Sequence, residues 1–294
     1  MILVIVGPTG IGKTKLSIAL AKQLKTEIIS GDSVQVYKDL NIGSAKIKEE
    51  EKDGIKHHLI DLFEPDEDFS VAIYQELVRG KIKEFEDKNL VPIIVGGTGL
   101  YIKSVLYDYN FKDSKRDKTE ETKYEQYNNE ELHKILEEKD YESSLKIHMN
   151  NRKRVLQAIL RSGKNKVSDN TNKDIKLYDF KLIGLTLERS KLYDIINHRV
   201  DGMIEEGLVE EVRGLYDRGI RSNSVTAIGY KELYDYFDGL TTLDYAIEKI
   251  KQHSRNLAKK QFTFFNNQFD PIWVNVNIEN FDETIQEVID IIKE

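Results

Sequence analysis

Apolar residues along the chain alternate between short unbroken runs and helical stripes. Ile2-Leu3-Val4-Ile5-Val6 is a continuous run closed by Gly7-Pro8, the pattern of a parallel strand buried on both faces. Leu16, Ala19, Leu20 and Leu24 then recur at helical spacing. Glu27-Ile28-Ile29-Ser30 predicts a second strand, His57-His58-Leu59-Ile60-Asp61 the end of another, and Val91-Pro92-Ile93-Ile94-Val95 a further one. Between them Ser70 is placed to cap a helix that continues through Tyr74, Leu77, Val78, Ile82 and Phe85. Phe180 to Leu187 and Ile272 to Val276 are later strands. One helical run extends from Leu192 through Met203 to Val212, another helix starts around Thr226 to Glu232, and Phe281 to Ile292 is a closing helix. Strands alternating with helices predict an α/β fold with a parallel sheet flanked by helices.

The alternation is interrupted. From Lys112 to Glu142 charges of both signs crowd together with no strand-like run, which reads as helices with solvated faces. We therefore expect an α/β core made of residues 1–110 and 178–294, with a mostly helical insertion at 111–177. The chain has 294 residues, a formal net charge of −7 and no cysteine. The last fact excludes disulfides, thiolate catalysis and Cys-ligated zinc together. No apolar run approaches the ~20 residues of a membrane span, and the first strand has no charged leader, so the expectation is a cytoplasmic protein off the membrane.

An acidic total argues against a polyanion partner, but the charge is unevenly spread. Lys146, Arg152, Lys153, Arg154, Arg161, Lys164 and Lys166 follow one another with no Asp or Glu between them, and Val155, Leu156, Ile159 and Leu160 supply an apolar face. A second acid-free stretch holds Lys249, Lys251, Arg255, Lys259 and Lys260, in which Lys251, Arg255 and Lys259 recur every four residues. A nucleic-acid surface and an ordinary solvated face both remain open for these stretches.

Candidate chemistry gathers at strand ends. Gly7-Pro8-Thr9-Gly10-Ile11-Gly12-Lys13-Thr14 fits G-x-x-x-x-G-K-[ST] between a strand and a helix. Such a P-loop points backbone N–H groups and a helix N-terminus at phosphate, with Lys13 on phosphate oxygens and Thr14 helping to hold Mg²⁺. Asp32, just past the second strand, either faces the same crevice or caps the next turn through its side chain. Adjacent His57 and His58 point to opposite faces of a strand, which disfavours a shared metal. After Val95 stand Gly96-Gly97-Thr98-Gly99-Leu100-Tyr101, where motor and switch NTPases usually carry an Asp. The glycines allow either a close approach of backbone to ligand or a tight turn that packs Tyr101.

In this order, the P-loop, Asp32-Ser33-Val34-Gln35-Val36-Tyr37-Lys38, His57-His58-Leu59-Ile60-Asp61, Gly96-Gly97-Thr98-Gly99-Leu100-Tyr101, Ala227-Ile228-Gly229-Tyr230-Lys231 and Arg255-Asn256-Leu257-Ala258-Lys259-Lys260-Gln261 resemble the bacterial tRNA dimethylallyltransferases over nearly the whole chain. The resemblance implies a P-loop NTPase-like sheet and transfer of a dimethylallyl group from dimethylallyl diphosphate to N6 of the adenosine immediately 3′ of the anticodon. It implies a monomer using Mg²⁺, with residues 7–14 on the diphosphate, Thr9 meeting the donor, and Asp32 and Thr98 as catalytic residues. It further implies tRNA contacts from Asp32, Ser33, Val34, Gln35 and Thr98, and from Lys153, Arg154 and Gln157 in the insertion that would grip the anticodon stem-loop. Where many members carry Pro-Asn-Asp and two arginines three residues apart, this chain has Met149-Asn150-Asn151, Arg154 and Gln157, with Arg152 or Lys153 as substitutes for the second arginine. Another arginine contact of the family maps to Arg116 or to nothing. The alternatives are a P-loop small-molecule kinase and a prenyltransferase of free adenine nucleotides.

Overall fold

Six strands form one parallel sheet: β1 (Ile2–Val6), β2 (Ile28–Ser30), β3 (His57–His58), β4 (Ile93–Gly96), β5 (Phe180–Thr186) and β6 (Ile272–Asn275), in the order β3-β2-β4-β1-β5-β6. The computed structural model describes residues 1–109, 111, 118–162 and 174–293, with 118 and 119 as backbone alone. Lys112, Arg116, Lys164 and Lys166, singled out above, lie outside the described residues. β1 is central, with Leu3 beside Ile93 of β4 and Lys181 of β5. All five of its residues are buried, which is why its sequence shows no polar alternation.

The chain separates into two compact units, Met1–Val105 with Tyr178–Glu294, and Leu106–Leu177. In the first, α1 (Lys13–Leu24) buries Leu16, Ser17, Leu20 and Ala21. α2 (Val71–Asp87) buries Tyr74, Val78, Ile82 and Phe85, and its first turn is capped by Ser70, whose side chain accepts from the Ile73 N–H at 3.3 Å. α3 (Gly99–Leu106) follows β4. In the second unit α4 (Lys118–Thr122), α5 (Asn129–Lys139), α6 (Tyr141–Lys146) and α7 (Arg152–Arg161) follow one another. Leu132 and Leu136 of α5 pack with Val155, Ala158 and Ile159 of α7 in a separate small core. The deepest part of the α7 face thus includes Ala158, while Leu156 and Leu160 are half-buried.

The chain re-enters the first unit at β5 and continues into α8 (Arg189–Glu205), α9 (Leu208–Asp217), α10 (Tyr230–Phe237), α11 (Leu243–Gln268) and α12 (Phe281–Lys293). The single helix expected from Leu192 to Val212 is two. Gly207 takes a left-handed conformation, φ 100°, between α8 and α9, and ends the first helix without disturbing the apolar periodicity of either.

β2 and β4 end side by side, and their following loops touch through glycine. Gly31 N–H donates to the Val95 carbonyl at 2.7 Å, and a Cβ on Gly96 would overlap the Gly31 carbonyl. Gly96 is therefore required by backbone against backbone. Gly96→Ala should destabilise the chain by about 1–3 kcal/mol, the range for overpacking a filled site. Urea denaturation reads this, and an unchanged midpoint would contradict it.

Candidate active site at the P-loop cleft

The loop from Gly7 to Gly12 turns β1 into α1. Gly12, at φ 97°, is in the left-handed region that glycine tolerates, and the Phe281 ring occupies the space where a side chain would start. The first turn of α1 has no acidic residue and no side-chain cap, so its N-terminal dipole faces outward unneutralised. Lys13 Nζ donates to the Pro8 carbonyl at 2.7 Å across the loop. Part of the residue is solvent-accessible while its ammonium is enclosed. Burial, reinforced by the nearby positive charge of Arg199 and opposed by Asp32, lowers its pKa to about 7.

Arg199 is the residue that sequence reasoning missed. It is carried by α8, and its guanidinium comes close to the loop: a Cβ on Gly10 would lie 3.7 Å from Arg199 Nη1. Its Nε is buried without a hydrogen-bond partner among the described residues. Burial lowers its pKa, though an arginine stays charged. Its neighbours Ile196, Val200 and Met203 are apolar, so an arginine amid that stripe was the available signal. Together Lys13 and Arg199 make one end of the cleft strongly cationic.

Asp32 satisfies both readings left open by the sequence. Oδ1 accepts from the backbone N–H groups of Val34 at 2.8 Å and Gln35 at 3.3 Å, a side-chain-capped turn. Oδ2 has no hydrogen bond among the described residues, and Asp32 lines the same cavity as Lys13. That cavity has a volume of ≈ 950 Å³. Thr9, Gly10, Gly12, Lys13 and Thr14 line one end, and Asp32, Ser33, Val34 and Gln35 another stretch of wall. Tyr37, Phe69 and Tyr101 add an aromatic side, with ring centroids 6.2 Å (Tyr37–Phe69) and 5.9 Å (Phe69–Tyr101) apart. Ile196, Val200 and Met203 of α8 and Ile250 and Leu257 of α11 add an apolar lining.

Other predicted positions are placed differently. Gly7, Pro8 and Ile11 are buried, and none of the three lines the cavity. Thr98 is beside the cavity rather than lining it, and its hydroxyl meets Ser33 Oγ at 3.5 Å. The amide of Gln35 is engaged internally: Nε2 donates to the carbonyls of Ser44 and Ala45, and Oε1 accepts from Ser30 Oγ. Gly97 approaches protein, since a Cβ there would strike Gln261, whose Nε2 donates to the Gly97 carbonyl at 3.0 Å. His57 and His58 turn to separate partners, the Ile55 carbonyl and Glu27 Oε2, and burial lowers both pKa values. Among the described residues no cluster of three or more His, Asp or Glu side chains could hold a metal unaided.

The basic stretches resolve differently. Lys153 and Arg154 are exposed near the start of α7 and Gln157 is half-buried one turn on. Arg152 is turned inward, donating to the carbonyls of Tyr124, Glu125 and Tyr127. On α11, Lys251 pairs with Asp201 at 2.7 Å and Arg255 bonds Asn197 at 2.5 Å, so two members of the four-residue stripe tie α11 to α8. Lys259 and Lys260 remain exposed.

A P-loop on a parallel sheet, opening with a carboxylate into a cleft with one cationic end, defines an α/β protein that handles a phosphate-bearing substrate. A family model described as IPP transferase matches residues 35–268. The tRNA dimethylallyltransferase of Bacillus licheniformis is 50% identical over 291 residues, covering 95% of this chain and 93% of that one. Crystal structures extend the likeness. A tRNA isopentenylpyrophosphate transferase from Bacillus halodurans is 44% identical, with TM-score 0.77, over 99% of this chain and 95% of that one. A eukaryotic dimethylallyltransferase crystallised acting on tRNA is 25% identical, with TM-score 0.85, over 98% of this chain and 77% of that one. The chain belongs to the IPP transferase family and is a prenyl-transferring enzyme. No helix among the described residues is long and apolar enough to cross a membrane.

Proposed function

We propose that the protein transfers the dimethylallyl group of dimethylallyl diphosphate to N6 of the adenosine immediately 3′ of the anticodon in cytoplasmic tRNA, acting as a monomer. The observation that carries this reading is a single cavity lined by the phosphate loop, Lys13, Arg199 and Asp32. The diphosphate is held by the loop N–H groups with Lys13 and Arg199, and the five-carbon group lies against the apolar residues of α8 and α11. N6 attacks C1 of the allyl group as the C1–O bond breaks. Diphosphate departs with the electron pair, and Asp32 Oδ2 takes the N6 proton. An exocyclic amine is a weak nucleophile, so holding it in line contributes much of the rate. The adenine must leave the anticodon-loop stack to enter, as in other base-modifying enzymes, and the aromatic side of the cavity offers it a surface. Thr98, through Ser33, helps to shape the entry.

Thr14 is a hard oxygen donor on the cavity. This suits a Mg²⁺ that takes one or two protein groups and completes its shell with phosphate oxygens and water. When bound, the ion neutralises charge gathering on the departing diphosphate.

Incubation with dimethylallyl diphosphate and unmodified tRNA should add one C5H8 unit to the tRNA, read by mass. Incubation with ATP in place of the prenyl donor should give no phosphoryl transfer. Phosphoryl transfer without prenylation would favour a kinase, and prenylation of free adenine nucleotides instead of tRNA would move the acceptor. In the insertion, Lys153→Ala and Arg154→Ala together should weaken tRNA binding and lower the slope of log K against log salt by ~0.7–0.9 for each phosphate no longer neutralised. Filter binding at several salt concentrations measures it, and an unchanged slope would remove α7 from the tRNA surface.

A further inference from the structure

Glu211 has no cationic partner among the described residues. Its carboxylate on α9 instead accepts three consecutive backbone N–H groups: Asn41 at 2.9 Å, Ile42 at 2.8 Å and Gly43 at 3.1 Å. A fourth bond comes from the hydroxyl of fully buried Tyr230, at 2.8 Å. The Tyr230 ring fills the space a side chain at position 43 would need, with a Cβ there only 2.6 Å from the ring. A carboxylate seated in successive N–H groups is held by charge-assisted bonds, the strong class of hydrogen bond. The segment so held is close in sequence to the cleft, while its anchor is about 170 residues away.

The clamp leads to Asp32 by a continuous path. Immediately after the clamped N–H groups, the carbonyls of Ser44 and Ala45 accept from Gln35 Nε2 at 3.2 and 3.3 Å. Gln35 in turn donates its backbone N–H to Asp32 Oδ1, the oxygen that caps the turn. Release of loop 41–45 would remove both Nε2 bonds of Gln35, leaving its side chain held by Ser30 alone, and so loosen the turn that orients the carboxylate. The P-loop lies outside this path.

We propose that Glu211 is a positioning residue for the reaction, holding loop 41–45 so that Gln35 fixes the turn carrying Asp32; this rests on Asp32 being the base that takes the N6 proton. Misplacing a reacting group by about 1 Å can cost ~10²-fold in rate, so Glu211→Ala should slow transfer by about 10- to 100-fold. Affinity for dimethylallyl diphosphate should stay within about twofold, because the donor site lies off the path. In a variant already carrying Asp32→Asn, the same change should cost less than about threefold, since the group it positions is gone.

The test joins that cycle to backbone hydrogen exchange on the ligand-free full chain. Glu211→Ala should accelerate exchange at Asn41, Ile42 and Gly43, and also at Val34 and Gln35. Tyr230→Phe, which removes one of the four bonds, should do the same more mildly and serves if the alanine variant does not fold. Unchanged exchange at Val34 and Gln35, or rate effects that multiply in the double variant, would overturn the proposal. Failure of the wild-type protein to prenylate tRNA would overturn the functional reading instead, and the exchange data would still decide whether Glu211 controls the Asp32 turn.

Discussion

Asp32→Asn is expected to lower prenyl transfer by ~10²–10⁴, the usual contribution of a positioned acid or base, while tRNA affinity stays within about twofold. The choice of asparagine matters because Asp32 does two things at once. Oδ1 caps the turn at Val34 and Gln35, and Oδ2 has no bond among the described residues on a side chain that lines the cavity. Asparagine keeps a side-chain oxygen for the cap and removes the ability to accept a proton. Asp32→Ala removes both, so it should show the same catalytic loss together with about 1 kcal/mol of lost stability from the unmade turn bonds. Single-turnover transfer with saturating dimethylallyl diphosphate and tRNA separates the two, since it reads the chemical step without product release. If Asp32→Asn transfers as fast as wild type while Asp32→Ala does not, the residue is a cap alone and the proton goes elsewhere.

That double duty shows where sequence reading reaches and where it stops. β1 was legible because burial on both faces leaves an unbroken apolar run, and the P-loop because glycine and lysine spacing states its chemistry locally. Ser70 was legible for the same reason: a cap acts within three residues, and its bond to Ile73 is of that range. The break between α8 and α9 was hidden because Gly207 leaves the apolar period intact on both sides. Arg199 was hidden because an arginine on an amphipathic helix normally faces water, and only the packing of α8 over Gly10 turns it to the phosphate loop. The α11 stripe was legible only in part. Its four-residue spacing correctly gathers Lys251 and Arg255 on one face, but Asp201 and Asn197 meet that face from α8. Charge partners supplied by another element leave no trace in the local pattern. The Glu211 clamp is the extreme case, since donor loop and acceptor are about 170 residues apart.

Lys13 gives the second large effect, and it carries a pH signature. In the ligand-free protein its pKa is lowered to about 7, first by burial and then by Arg199. A diphosphate beside it supplies the opposite charge that favours the ammonium, so the pKa rises on binding. Binding above pH 7 therefore takes up a proton at Lys13, and affinity should fall about tenfold per pH unit from there up to the pKa of the complex. Below pH 7 Lys13 is charged in both states and adds no slope. Stability follows the complementary sign. The unfolded chain holds this proton up to its ordinary pKa of 10.5 whereas the ligand-free fold releases it near 7. Between these values unfolding takes up a proton, so this group makes the free protein more stable as pH rises, and bound diphosphate removes that gain. Titration calorimetry with inorganic pyrophosphate at pH 8, repeated in buffers of different ionisation heat, should show uptake of close to one proton. Lys13→Met should abolish the uptake and weaken binding by about 10- to 10²-fold, since a bond from a charged donor contributes roughly 1.5–3 kcal/mol. An affinity independent of pH from 7 to 9, with no proton taken up, would mean that Lys13 stays on the Pro8 carbonyl and leaves the anion to Arg199 and the loop N–H groups.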